Sequence, residues 1–141
     1  MAQWYSANAE WYFAYGEVVV DNMSESVLRN KAKEFAKCIV LKVKDIRNEH
    51  KEYVLTDQLL RSGTSIGANV HEAQYAQGNA DFISKLEIAL KECFESEYWL
   101  ELLFETGYLN EEEYKRLANE CGKIRKMLIT SCKTVKGNND K

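Results

Sequence analysis

The chain has 141 residues, no proline, seven glycines, four cysteines, two histidines and a net charge of −3. That length suits a single domain whose core needs no disulfide or metal, and the acidic balance argues against a protein built to coat nucleic acid. No stretch approaches the roughly 20 apolar residues of a bilayer span, and no basic region leads into an apolar core at the N-terminus, so a cytoplasmic protein without membrane or signal peptide is expected.

The first 22 residues hold six of the sixteen aromatics: Trp4, Tyr5, Trp11, Tyr12, Phe13 and Tyr15. Trp4, Tyr5, Trp11, Tyr12, Tyr15, Val18 and Val19 fit one helical face, whereas Tyr15-Gly16 before a valine run fits a turn and a strand. This segment, 1–22, reads as an aromatic-rich extension, natural or introduced by cloning, that docks on an apolar groove. Met23 sits where a natural start would.

A first helix is expected from about Ser26 to Asn48. Leu28, Ala32, Phe35, Ile39, Val43 and Ile46 recur at steps of four and three, one stripe of a helix, and Ser24 or Ser26 caps its start. The polar run Asn48 to Tyr53 is the turn. The second helix starts from Thr56 as N-cap and runs to about Gln77 on Leu59, Gly63, Ile66, Val70 and Ala73. Glycine inside a helix costs about 1 kcal/mol against alanine. Gly63 and Gly67, four apart, therefore mark a place where another backbone comes close; Arg61, Asn69 and His71 exclude a membrane packing motif.

Asn79 caps the third helix, 80 to about 106, whose stripe is Phe82, Leu86, Ala89, Cys93, Ser96, Leu100 and Leu103. A second apolar set lies off that stripe: Ile83, Leu90, Phe94, Tyr98, Trp99 and Leu102. One bundle buries an arc a little over 100° wide. The surplus needs other cover, and a second subunit is the simplest, so these six form the expected oligomer interface. Gly107 ends the helix. Asn110 with Glu113 reads as a capping box for the fourth, which runs to about Thr134 on Tyr114, Leu117, Cys121, Ile124, Leu128 and Val135. Residues 136–141 are a polar tail. Short connections between long helices give the fold class: all-α, an up-down-up-down antiparallel four-helix bundle over 23–135.

Charge is unevenly spread. Residues 24–52 carry eight bases and five acids, 78–106 two bases and seven acids, and 107–141 eight bases and five acids. Such a dipolar surface steers partners. Lys37, Lys42, Lys44 and Arg47 of the first helix and Lys123, Arg125, Lys126, Lys133 and Lys136 near the C-terminus are the candidate nucleic-acid strip, since first and last helices adjoin in such a bundle. Repetition around a ring would multiply a weak strip.

Cys38, Cys93, Cys121 and Cys132 show no CxxC spacing and read as reduced, buried thiols, not zinc ligands. Asn69 and Glu72 lie one turn apart with Arg61 eight residues before Asn69, and read as a buried network holding helices in register. No catalytic residue, metal or cofactor is assigned: no phosphate-cradling loop or nucleophile elbow appears. The alternative is an enzyme, a metal-dependent nuclease or small-molecule hydrolase, using Glu72 at a subunit junction. The acids of the third helix are too dispersed for one site: Glu87 and Glu101 lie about 21 Å apart along the axis.

The segment Arg61 to Leu109, RSGTSIGANVHEAQYAQGNADFISKLEIALKECFESEYWLELLFETGYL, resembles bacterial four-helix-bundle proteins encoded within 23S ribosomal RNA intervening sequences. That family is related to the accessory variability proteins of diversity-generating retroelements. Ser65-Ile66-Gly67-Ala68-Asn69, Glu72-Ala73 and Asp81-Phe82 are its specific part, and the likeness spans Met23 to about Val135. It implies a ring, typically a homopentamer. In the retroelement branch it implies a reverse transcriptase and nucleic acid as partners, held by a basic exterior; this chain differs in being net acidic. The function expected is a non-catalytic, ring-forming scaffold or adaptor that binds protein and nucleic acid.

Overall fold

The structure, a computed structural model, describes the backbone of residues 3–7, 10–14 and 22–139 and the side chains of 26–137. Four helices dominate it: α1 (Asn22–His50), α2 (Val54–Ala73), α3 (Asn79–Glu105) and α4 (Glu111–Asn139). Their apolar stripes form the core. Every stripe residue of α1 is buried, as are Leu59, Ile66, Val70 and Ala73 of α2, Leu86 to Leu103 of α3, and Leu117, Cys121, Ile124 and Leu128 of α4. Phe82, Tyr114 and Val135, at the stripe ends, are only half-buried. The α1 helix packs on α2 and α4, and α3 packs on α2 and α4. Chain neighbours are spatial neighbours and the last helix returns to the first, which makes an antiparallel up-down-up-down bundle. The turns 51–53 and 106–110 share one pole, where the rings of His50 and Tyr108 meet edge-on at 5.2 Å.

The glycines of α2 set its approach to α1. A Cβ on Gly63 would stand 3.0 Å from Ile39 Cγ1 and Cγ2, and one on Gly67 3.4 Å from the carbonyl oxygen of Ala32. Between α2 and α3 a buried hydroxyl pair replaces apolar contact. Ser96 Oγ donates to Ser62 Oγ at 3.0 Å, and Ser62 Oγ donates to the Leu59 carbonyl at 3.3 Å. Both hydroxyls thereby find acceptors, which is what burial demands of them.

Helix ends differ from expectation in five places, one of them the end of α4, which runs to Asn139 rather than about Thr134 and takes in most of the expected tail. The α1 helix starts at Asn22, so Ser24 and Ser26 lie within it. Thr56 is not the cap of α2: the N-cap position is Tyr53, and the side-chain acceptor comes from Glu52 before it, whose carboxylate takes the N–H groups of Leu55 and Thr56, both at 2.9 Å. Those bonds outweigh the effect of burial and hold the Glu52 carboxyl below its ordinary range. The end of α2 comes at Ala73, where Gln74 to Ala76 turn back on His71, Glu72 and Ala73. The N-cap of α3 is Gly78, not Asn79; its φ of 149° is a value that favours glycine. Gly107 has φ 90°, as a helix-terminating glycine should. Half of the expected capping box forms at α4. The Glu113 N–H donates to Asn110 Oδ1 at 2.8 Å, while the Glu113 carboxylate turns to Lys42 of α1.

Residues 3–14 contain an antiparallel hairpin of β1 (Gln3–Ala7) and β2 (Glu10–Ala14), with Trp4 opposite Phe13 and Tyr5 opposite Tyr12. A helical face through Trp4 and Trp11 is thus replaced by strands, placed earlier than the valine run. Docking of these aromatics lies outside the described side chains. Of the cysteines, Cys93, Cys121 and Cys132 are buried, but Cys38 is only half so. Cys121 Sγ donates to the Cys93 carbonyl at 3.5 Å, and hydrogen bonding with Cys93, then burial, push its thiol pKa up.

Candidate functional site

Two surfaces stand out: an apolar outer face on α3 and a basic outer face on α4. The α3 sequence has more large apolar residues than one stripe can bury. Phe94 is 51 % exposed, Tyr98 58 % and Ile88 39 %. Ile83 and Leu102 are half-buried, and Leu90 and Trp99 lean partly against the core. The expected interface set is therefore a belt rather than a flat patch. Phe94 and Trp99, five residues apart, lie about 140° apart around the helix.

Neighbouring helices fix the two sides of that belt. Beside α4, the Arg125 guanidinium lies 5.6 Å from the Phe94 ring centroid, and its Nε donates to Glu97 at 2.9 Å. Beside α2, Trp99 Nε1 donates to Glu95 Oε1 at 3.1 Å, and Arg61 pairs with both Glu95 and Glu92. The Arg61 hydrogen bond, then that of Trp99, holds the Glu95 carboxyl below its ordinary range; burial raises that of Glu92. Tyr98 sits between the two sides, its ring edge-on to Trp99 at 4.9 Å.

The polar trio of α2 does not form one network. Arg61 reaches across to α3, Asn69 Nδ2 donates back to the Ser65 carbonyl at 2.8 Å, and exposed Glu72 pairs with Lys85 at 2.8 Å. Spacing put them near one face; partners on α3 draw the two charged residues apart. The buried polar link between α2 and α3 is Ser62 with Ser96, a pair legible only as two small polar residues on facing apolar stripes.

The nine basic residues do not form one strip either. Lys42 lies in the α1–α4 seam, paired with Glu113 and with Asp45 at 3.5 Å. Arg47 faces α2, where it pairs with Asp57 and donates to Thr56 Oγ1 at 3.0 Å. Arg125 and Lys136 lean on α3, pairing with Glu97 and Glu87. Lys37 and Lys44 are exposed on α1, Lys37 holding Glu34 at 2.9 Å. On α4, Lys123 holds Glu120 at 2.8 Å, while exposed Lys126 and Lys133 make no ion pair among the described residues. Sequence reasoning missed Lys115, Arg116 and Asn119, which are exposed on the same helix. The spacing of Lys115 and Asn119 from Lys126 and Lys133, whole turns of a helix, was the available signal; Arg116 lies to one side of them.

Among the described residues no group of three or more His, Cys, Asp or Glu side chains is placed to hold a metal ion, and no helix is long and apolar enough to cross a membrane. A family model described as 23S rRNA-intervening sequence protein matches residues 24–130. The chain is also similar to a crystal structure of a protein with unknown function from the S23 ribosomal protein family of Bacteroides thetaiotaomicron. The two are 52 % identical with a TM-score of 0.78, over 79 % of this chain and 99 % of that one. No curated protein matches.

Proposed function

This chain belongs to the 23S rRNA-intervening sequence protein family, and from that premise we propose that it is a non-catalytic, ring-forming scaffold or adaptor. Copies cover one another's α3 faces, and the assembly presents its remaining surface to a protein or nucleic-acid partner. The observation that carries this reading is the outer face of α3, where Phe94 and Tyr98 are more than half exposed and Ile88 is exposed beside them. Fully burying one large apolar side chain is worth roughly 1.5–3 kcal/mol. Leaving several in water on one helix is costly unless something covers them, and contiguous apolar surface of this kind marks interaction sites. A ring of five is the size the family resemblance implies. A role in binding rather than catalysis is supported by Glu72, which is exposed and held in an ion pair with Lys85.

Light scattering of the purified chain at micromolar concentration tests the proposal. The expected result is one closed species at a multiple of the 16.3 kDa chain mass. A lone 16.3 kDa species would overturn it.

A further inference from the structure

Between Lys115 and Lys136 the α4 helix carries seven bases and one acid, Glu120, in a chain whose net charge is −3. Arg125 and Lys136 are drawn to α3. Lys115, Lys126 and Lys133 are exposed and spaced by 11 and 7 residues, whole turns of a helix, so they share one outward stripe. Asn119 and Gly122 lie on that stripe between them, with Arg116 and Lys123 beside it. Over the 18 residues from Lys115 to Lys133 the stripe runs about 27 Å.

Gly122 supplies an independent observation. A mid-helix glycine costs about 1 kcal/mol relative to alanine. Gly63 and Gly67 repay that through contact with α1. A Cβ on Gly122 would meet only Arg125 Nη2, at an ordinary 3.7 Å, so no packing within the chain accounts for it. Gly122 instead lines an open depression whose charged residues are the bases Arg116, Lys123, Arg125 and Lys126 and one acid, Glu120, which Lys123 holds at 2.8 Å. The bare backbone there admits a group from outside, and the surrounding charge selects an anion.

Two polyanions compete for this face. The acidic α3 helix of a second copy is the poorer match. Its Glu87, Glu92, Glu95 and Glu97 are already paired within their own chain. The exposed Glu101 and Glu105 together span about 6 Å. A nucleic-acid duplex instead presents a charge every ~1.7 Å of axis, continuous along the whole stripe. The stripe offers no aromatic platform, because Tyr114 of α4 stacks on Phe104 with ring centroids 4.7 Å apart. Bases therefore have nothing to stack on, and contact is with phosphates.

We infer that the outer face of α4, from Lys115 to Lys133 with Gly122 at its centre, is a sequence-independent track for the phosphodiester backbone of a nucleic-acid duplex. This names one partner of the proposed adaptor and in that respect rests on that reading.

The test is a fluorescence-anisotropy titration of the whole chain against an RNA duplex of about 20 base pairs, the equivalent DNA duplex and the single strand, across a range of salt, with light scattering on every sample. Both duplexes should bind better than the single strand, with log affinity falling linearly in log salt; the two duplex arms show which backbone is preferred. Lys126→Glu with Lys133→Glu should lower affinity about tenfold or more and reduce the salt slope by about 2, with mass unchanged. Gly122→Leu should weaken binding several-fold while leaving thermal stability equal or higher. Lys37→Glu with Lys44→Glu, on α1, should stay within about twofold of wild type. No duplex binding at low salt would overturn the inference. So would equal losses from the α1 and α4 pairs, or an altered mass in the α4 pair, which would make this face a subunit contact. A monomer that binds duplex through α4 would remove the ring and keep the track. A ring that ignores both duplexes would do the reverse.

Discussion

Gly63 and Gly122 have the same side chain in the same kind of backbone, and opposite responses to a methyl group are expected of them. At Gly63 the new atom would lie 3.0 Å from two Ile39 carbons in a packed interior, so Gly63→Ala should destabilise by about 1–3 kcal/mol. At Gly122 the methyl has room, and Gly122→Ala should stabilise by up to about 1 kcal/mol. Denaturant midpoints of the two variants, read at constant m-value, check both signs. The Lys42–Glu113 pair sets a pH dependence at the same scale. Burial works against the Lys42 charge, yet Glu113 raises its pKa above the usual 10.5; Lys42 in turn lowers that of Glu113 below the usual 4.5. The Glu113 contribution is therefore complete above about pH 4.5 and is lost as pH falls through its lower, folded value. That of Lys42 is complete below about pH 10.5 and is lost as pH rises through its higher one. Thermal melts from neutral to acid pH should show Glu113→Gln with a shallower acid slope than wild type.

At the scale of elements, periodicity was a good guide. The stripes of α1 and α2 read from spacing are the buried residues, because a helix in a four-helix bundle has one inward direction that its own period reveals. Glu52 as the acceptor at the start of α2 was hidden, since a charged residue in a charged turn announces no role until its carboxylate meets Leu55 and Thr56. The flanks were hidden as well. Period tells which residues point inward but not which neighbour a sideways residue meets, so Arg61, Asn69 and Glu72 looked like a set, and Lys42, Arg47 and Arg125 like one strip. The Ser62–Ser96 bond gives an element-scale prediction. Ser62→Ala leaves the buried Ser96 hydroxyl without an acceptor and should cost about 1–3 kcal/mol. Ser62→Ala with Ser96→Ala should cost less than the two single effects added, and a double-mutant cycle in urea measures the difference.

Across the whole molecule, the outward greasiness of α3 is the property with the largest consequence. Phe94→Glu with Tyr98→Glu places charge where copies are proposed to meet without touching the core. The variant should retain its helical circular dichroism and drop toward the mass of one chain in light scattering. A loss of helix would mean that these rings support the bundle itself, and an unchanged assembly would move the contact elsewhere. The family model matches residues 24–130, which lie within the four helices. Nothing in the spacing of the aromatics distinguished a hairpin from a helix, because both arrangements place several of them on one side.

An even number of antiparallel rods brings the polypeptide back to the pole from which it set out. The start of α1 and the end of α4 lie at one pole of the bundle, opposite the pole bearing His50 and Tyr108. Joining the two ends with a short flexible linker and opening the chain at Gly107 should give a circularly permuted bundle with the same core and a similar melting temperature. That rearrangement would move both chain ends to the pole of His50 and Tyr108.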